Sequence, residues 1–187
     1  MKALFLNVIC ILTVLFWSSC KSTPDLTEGE IYTIVNQIIA DDSLFIDHVY
    51  WNFETIQLTD EYKKEFTKED IAFINRQNKL FKNLKIKPNK LKYYNLQSKK
   101  FIYITVTACN QDFISHISLP FISVDRKKVM IYLEKYSNFQ MGGEGETNLY
   151  EKRNGHWVKT KEFDFWISEN KQQNGEKQLT LTNVYGK

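Results

Sequence analysis

At residue 101 the apolar residues of this chain stop recurring at every third or fourth position and begin to alternate, which limits what each half can become. Upstream, Ile31, Ile34, Val35, Ile38 and Ile39 form one helical stripe. Thr27-Glu-Gly-Glu30 precedes them as a capping box, a hydroxyl and a carboxylate able to satisfy free N–H groups at a helix start. Thr67-Lys-Glu-Asp70 repeats the signal ahead of Ile71, Phe73, Ile74 and Leu80, and Pro88-Asn89 stops any continuation. Between the two, Leu44–Ile56 fits either period, and its class stays open. Downstream, Ile102, Ile104, Val106 and Ala108 lie on one strand face, Val129, Ile131 and Leu133 on another, and Phe163, Phe165 and Ile167 on a third.

Turn chemistry orders these strands. Asn154-Gly155 tolerates positive φ at both central positions of a type I′ turn, which sets Lys152 opposite Trp157 and Tyr150 opposite Lys159. A turn equally tight at Asn174-Gly175 would pair odd positions with even ones and set Phe165 and Ile167 against Thr182 and Val184, so a bulge or longer loop is expected there. Pro120 marks an edge or a break between short strands. The expected fold is α+β, N-terminal helices packed on a C-terminal antiparallel β-meander of five or six strands. No repeat or linker divides the segment 27–187, which is expected to be one domain.

The start of the chain carries different information. Lys2 is followed by an apolar run from Ala3 to Trp17. A spanning helix needs about 20 such residues, so the shorter run is the core of a secretory signal over residues 1–19. Ser18-Ser19-Cys20 resembles the lipobox of bacterial lipoproteins, which implies an acylated Cys20 with a short tether over 20–26. Each buried methylene contributes about 0.8 kcal/mol, and two or more chains hold stably. With Cys10 leaving in the signal and Cys20 lipidated, Cys109 is the remaining thiol, and no internal disulfide can form. By resemblance to lipoprotein sorting rules, Lys21 after the cysteine and the missing acidic run favour the periplasmic side of an outer membrane over the cell surface.

The C-terminal half carries a resemblance of its own. Pro120-x-x-Ser123-x-Asp125, the strand Val129–Glu134, the glycine-rich Gly142–Gly145, Asn154-Gly155-x-Trp157 and Trp166-x-Ser168 resemble, in that order, a group of small uncharacterised Bacteroidota lipoproteins. The resemblance implies an envelope location and a fold, and it transfers no catalytic residue.

Charge is the most uneven feature. Between Asp70 and Asp112 stand nine basic residues and no acid, leaving the rest of the domain net acidic. Lys82, Lys85, Lys87, Lys90 and Lys92, interleaved with Tyr93 and Tyr94, are candidates for gripping an anionic envelope component such as lipopolysaccharide phosphates, or another envelope protein. Nucleic acid is not an expected partner, since Lys lacks the planar fork of Arg and the compartment is wrong. Gly142, Gly143, Glu144 and Glu146 make a second candidate, a mobile contact loop. It lacks the Gly-Lys-Ser/Thr ending of a phosphate cradle, and two carboxylates fall short of the oxygens Ca²⁺ takes. His48, His116 and His156 are scattered with no zinc spacing, and no nucleophile elbow is present, so neither metal, cofactor nor catalytic residue is assigned. Nothing in the sequence selects a carboxylate pair. Trp51, Trp157, Trp166, Tyr132 and Tyr150 are the aromatics available to a sugar or peptide groove. The leading expectation is a lipid-anchored, non-enzymatic envelope protein that binds or scaffolds. The alternatives are an envelope-polymer hydrolase and an inhibitor or immunity protein against a toxin.

Overall fold

A computed structural model describes residues 23–108, 113–137, 142–173 and 176–183, so Cys20 and Cys109 lie outside the described residues. The two capping boxes do what their chemistry requires. Thr27 accepts from the Glu30 N–H while Glu30 accepts from the Thr27 N–H, opening α1 (Glu28–Asp41). Thr67 and Asp70 do the same for α3 (Lys68–Leu80), after a single turn, α2 (Asp60–Lys63).

The α+β class holds, but the sheet is mixed and larger than a five- or six-stranded meander. The strands are β1 (His48–Tyr50), β2 (Lys92–Asn95), β3 (Lys100–Tyr103), β4 (Thr105–Thr107), β5 (Phe113–Ile117), β6 (Phe121–Ile122), β7 (Lys128–Ser137), β8 (Gly143–Arg153), β9 (His156–Gln173) and β10 (Glu176–Asn183). Eight of them form one sheet in the order β10-β9-β8-β7-β5-β1-β4, with β6 also on β7, while β2 and β3 pair separately. The part from β5 to β10 is the expected antiparallel meander. β1 and β4 add a parallel edge, β1 coming from the ambiguous segment after α1. A three-residue strand shows too little alternation to be recognised in sequence, and the β5 edge that receives it is distant in the chain.

Two local differences have physical causes. The run from residue 101 to 108 is not one strand. Its first part closes a hairpin with β2, Ile104 is buried, and the chain then joins β1 as β4. The expected common face of Ile102, Ile104, Val106 and Ala108 is lost with it: Ile102 and Ala108 are exposed, and Thr107 is buried instead. Pro120 sits, as expected, in the break between β5 and β6. The second difference concerns β9 and β10, whose register runs unbroken from Glu176 opposite Gln173 to Asn183 opposite Trp166, without a bulge between them, while Asn174-Gly175 lies outside the described residues. The bulge lies earlier. Asp164 has a φ of 45°, and beyond it the buried side of β9 passes from Phe163 to Ser168 while Ile167 becomes exposed. The Asn154-Gly155 turn has φ 52° and 88° and sets Lys152 opposite Trp157 and Tyr150 opposite Lys159.

One face of the sheet is covered by α1. Ile31, Val35, Ile38 and Ile39 pack against Val49, Ile117, Val129, Ile131 and Tyr150. Asp41 and Asp42, at the end of the helix where the macrodipole disfavours anions, are engaged by the β8–β9 hairpin. Asp41 accepts from the Trp157 N–H at 2.7 Å, and Asp42 from the Tyr150 hydroxyl at 2.7 Å. The other face is covered over part of its length by α2, α3 and their linker, where Tyr62, Phe66 and Ile74 meet Phe121, Met130, Leu149 and Phe163.

Candidate functional site

Three transverse rows cross the second face. Phe121, Met130 and Leu149 make the first, and Tyr132, Thr147 and Phe163 the second. In the third, His116 on β5 lies opposite Glu134 on β7, which lies opposite Gly145 on β8 and then Trp166 on β9. Glu54 joins this row from the segment after β1, its N–H donating to the Ile117 carbonyl at 2.9 Å and its carbonyl accepting from the Leu119 N–H at 2.8 Å.

The third row gathers ionisable groups. One Glu54 oxygen is 2.6 Å from His116 Nδ1, and Glu54, His116 and Glu134 each offer a ligand atom within 4.8 Å of the others. Among the described residues it is the one such group of His, Cys, Asp and Glu. The Tyr50 ring stacks on the imidazole, centroids 5.1 Å apart, and fixes its plane. Trp166 Nε1 donates to the Tyr132 hydroxyl at 3.3 Å. Gly145 makes that crossing possible, because a Cβ there would stand 2.3 Å from Trp166 Nε1 and 2.8 Å from the Tyr132 oxygen.

Environment shifts these groups in different directions. The hydrogen bond to Glu54 raises the His116 pKa above its ordinary value, against the opposing effect of burial. Burial raises the Glu134 carboxyl, the nearby Glu54 charge raises it further, and His116 only partly offsets both. Burial also carries the Tyr132 hydroxyl up to about 12. The charged form of Glu134 is therefore disfavoured, and His116 and the Tyr132 hydroxyl offset this only in part.

The sequence candidates lie elsewhere. Lys82 and Lys90 are exposed, the Lys85 ammonium lies 4.0 Å over the Trp51 ring, Lys87 pairs with Glu28 at 2.8 Å, and Lys92 lies over Phe101. Tyr93 is buried in the core and offers no surface, whereas Tyr94 is exposed. The segment from Gly143 onward is not the expected mobile loop. Gly143, Glu144 and Glu146 belong to β8, hydrogen-bonded between β7 and β9. The glycines answer to β9, since the Gly143 N–H donates to Ser168 Oγ and a Cβ on Gly142, at φ 75°, would collide with the Ser168 carbonyl. Glu144 pairs with Lys135 at 3.5 Å and Glu146 with Lys159 at 3.8 Å. The aromatics divide too: Trp157 and Tyr150 are buried under α1, and Tyr132 and Trp166 flank the cluster.

The motif order noted in the sequence has structural work in this region. Ser123 Oγ donates to Asp125 and accepts from the Lys128 N–H, closing the β6–β7 turn, while Trp166 and Ser168 secure β8 as described. Sequence reasoning missed Glu54, His116 and Glu134, although the last two were visible as polar residues on alternating strands. No protein-family model matches the chain, and no curated protein or solved structure matches it.

Proposed function

We propose that this is a lipid-anchored binding protein of the cell envelope, held through Cys20, and that Glu54, His116 and Glu134 capture a divalent transition-metal ion of the Zn²⁺ type. One observation carries the reading: an imidazole and two carboxylates converge within 4.8 Å on a part of the sheet outside the cluster packed beneath α2 and α3. Imidazole nitrogen and carboxylate oxygen are the donor set such ions take, and two anionic ligands with a neutral imidazole balance a doubly charged cation. Bound there, the ion would relieve the unfavourable burial of Glu134. The lipobox-like Ser18-Ser19-Cys20 and the motif order shared with small Bacteroidota lipoproteins support the envelope location, on the periplasmic side of the outer membrane.

Titration calorimetry with ZnCl₂ tests the site. The expected result is one binding event, weakened at least tenfold by His116→Ala and by Glu134→Gln. Protons compete for His116, so affinity rises with pH through its raised pKa. Unchanged binding in the His116→Ala/Glu134→Gln double variant overturns the reading. Loss of fatty-acid labelling in Cys20→Ala tests the anchor separately. A second reading, a hydrolase of envelope polymer, has one observation in its favour, the raised Glu134 pKa that a general acid requires. It would show as metal-independent turnover of glycan fragments that Glu134→Gln abolishes.

A further inference from the structure

The β2–β3 hairpin has no role in the metal site, yet it gathers several of the exposed large apolar side chains among the described residues. Its register sets Lys92 opposite Tyr103 and Tyr94 opposite Phe101, so these four side chains share one face. Tyr94, Phe101 and Tyr103 are 40%, 55% and 60% exposed, and Leu96 at the tip is 75% exposed. The face is ordered: Tyr94 and Phe101 meet edge to face at 5.3 Å, and the Lys92 ammonium lies 4.7 Å over the Phe101 ring. The opposite face fixes the hairpin to the body. Tyr93 is buried against Phe45, and Asn36 of α1 clasps the backbone on both sides, donating to the Lys90 carbonyl and accepting from the Lys92 N–H.

We propose that this hairpin is a membrane-contact element that rests its aromatic face on the surface of an anionic phospholipid bilayer. Charge complementarity selects the occupant. The hairpin carries Lys92, Lys99 and Lys100, and no acidic residue occurs anywhere from Ile71 to Ala108. Lysines near a bilayer are drawn to anionic headgroups, by about 1 kcal/mol each, and tyrosines seat their rings at the interface with the hydroxyl in water. Strands of four residues span roughly 13 Å, which suits contact with the headgroup region and excludes crossing.

Hydrogen exchange of the full chain, reconstituted in phosphatidylglycerol-rich and in pure phosphatidylcholine vesicles, tests the proposal whether or not the anchor is lipid. Amides of residues 92–103 are expected to slow by on the order of tenfold only in the phosphatidylglycerol vesicles, with α1 and β7 unchanged as folding controls. Lys92→Gln/Lys99→Gln/Lys100→Gln should remove the difference, and Leu96→Ser/Phe101→Ser should remove it with every lysine in place. Equal exchange in both vesicles overturns the proposal. So does protection that appears only in envelope fragments containing protein, which would assign the face to a protein partner instead.

Discussion

The two ends of one sheet face obey opposite rules. At one end Phe121, Met130 and Leu149 are buried beneath Tyr62, Phe66 and Ile74, and at the other, two rows further along β7 and β8, stand Glu134 and Gly145 beside His116 of β5. Alternation along β7 is identical throughout, with Met130, Tyr132 and Glu134 pointing the same way. What changes is the cover. Where α2 and α3 lie over the sheet, the strand supplies apolar side chains; where they end, it supplies a proton-binding and metal-ligating set. The strand pattern therefore builds the scaffold, and the reach of the helical cover decides where a site can exist.

Removing an apolar side chain from the covered end should have the largest effect on stability. Phe121→Ala takes a fully buried ring from beneath the helices and should cost about 3–5 kcal/mol in urea unfolding. A cost under about 1 kcal/mol would mean that the two ends do not differ in packing. Next comes the boundary. Gly145→Ala forces a methyl into the Trp166–Tyr132 crossing and should cost roughly 1–3 kcal/mol, with a change in tryptophan emission as the indole leaves the sheet.

The cover has its own fastening. Burial would raise the Asp70 pKa, but the N–H of Val124 and the hydroxyl and N–H of Thr67 outweigh it and hold the carboxyl below its ordinary value. Asp70→Asn should cost about 1 kcal/mol at neutral pH. A depressed folded pKa stabilises the protein in full above the unfolded value, near pH 4, and loses that stabilisation as pH falls through the folded one. The cost of Asp70→Asn should accordingly vanish in acid, as urea midpoints measured across pH would show.

Much of this architecture was legible because its signals are local. A capping box needs four consecutive residues, and a type I′ turn needs Asn-Gly, so α1, α3 and the β8–β9 register follow from Thr27, Thr67 and Asn154 alone. The parallel edge was not legible, because nothing near His48–Tyr50 says that β5 will receive it. The candidate site failed for the same reason. In sequence His116 is one of three scattered histidines and Glu134 the end of a strand, and Glu54 reaches them through its isolated bridge to Ser118. The lysines drew attention through density in sequence, yet folding spreads them among Trp51, Glu28 and Phe101. Gly142 and Gly145 suggested a loop, whereas their lack of side chains serves the close approach of β9.

The smallest effect is also the one that separates the two ends most cleanly, because its sign is reversed. Truncation destabilises the covered end, but Glu134→Gln should stabilise the metal-free protein. A half-buried carboxylate facing Glu54 has its charged form disfavoured, so its raised folded pKa weakens the fold above that pKa. The penalty fades as pH falls through the folded pKa, and below the unfolded value, near pH 4, the variant and the parent should be equally stable. The gain at neutral pH should be a fraction of 1 kcal/mol, or a rise of roughly 1–3 °C in Tm. Saturating Zn²⁺ should reverse the ranking, raising the Tm of the parent by more than that of Glu134→Gln, since an ion bound only by the folded chain stabilises it in proportion to the logarithm of its affinity. A variant less stable than the parent at neutral pH without metal would show that Glu134 supports the fold, and the two ends would then follow one rule.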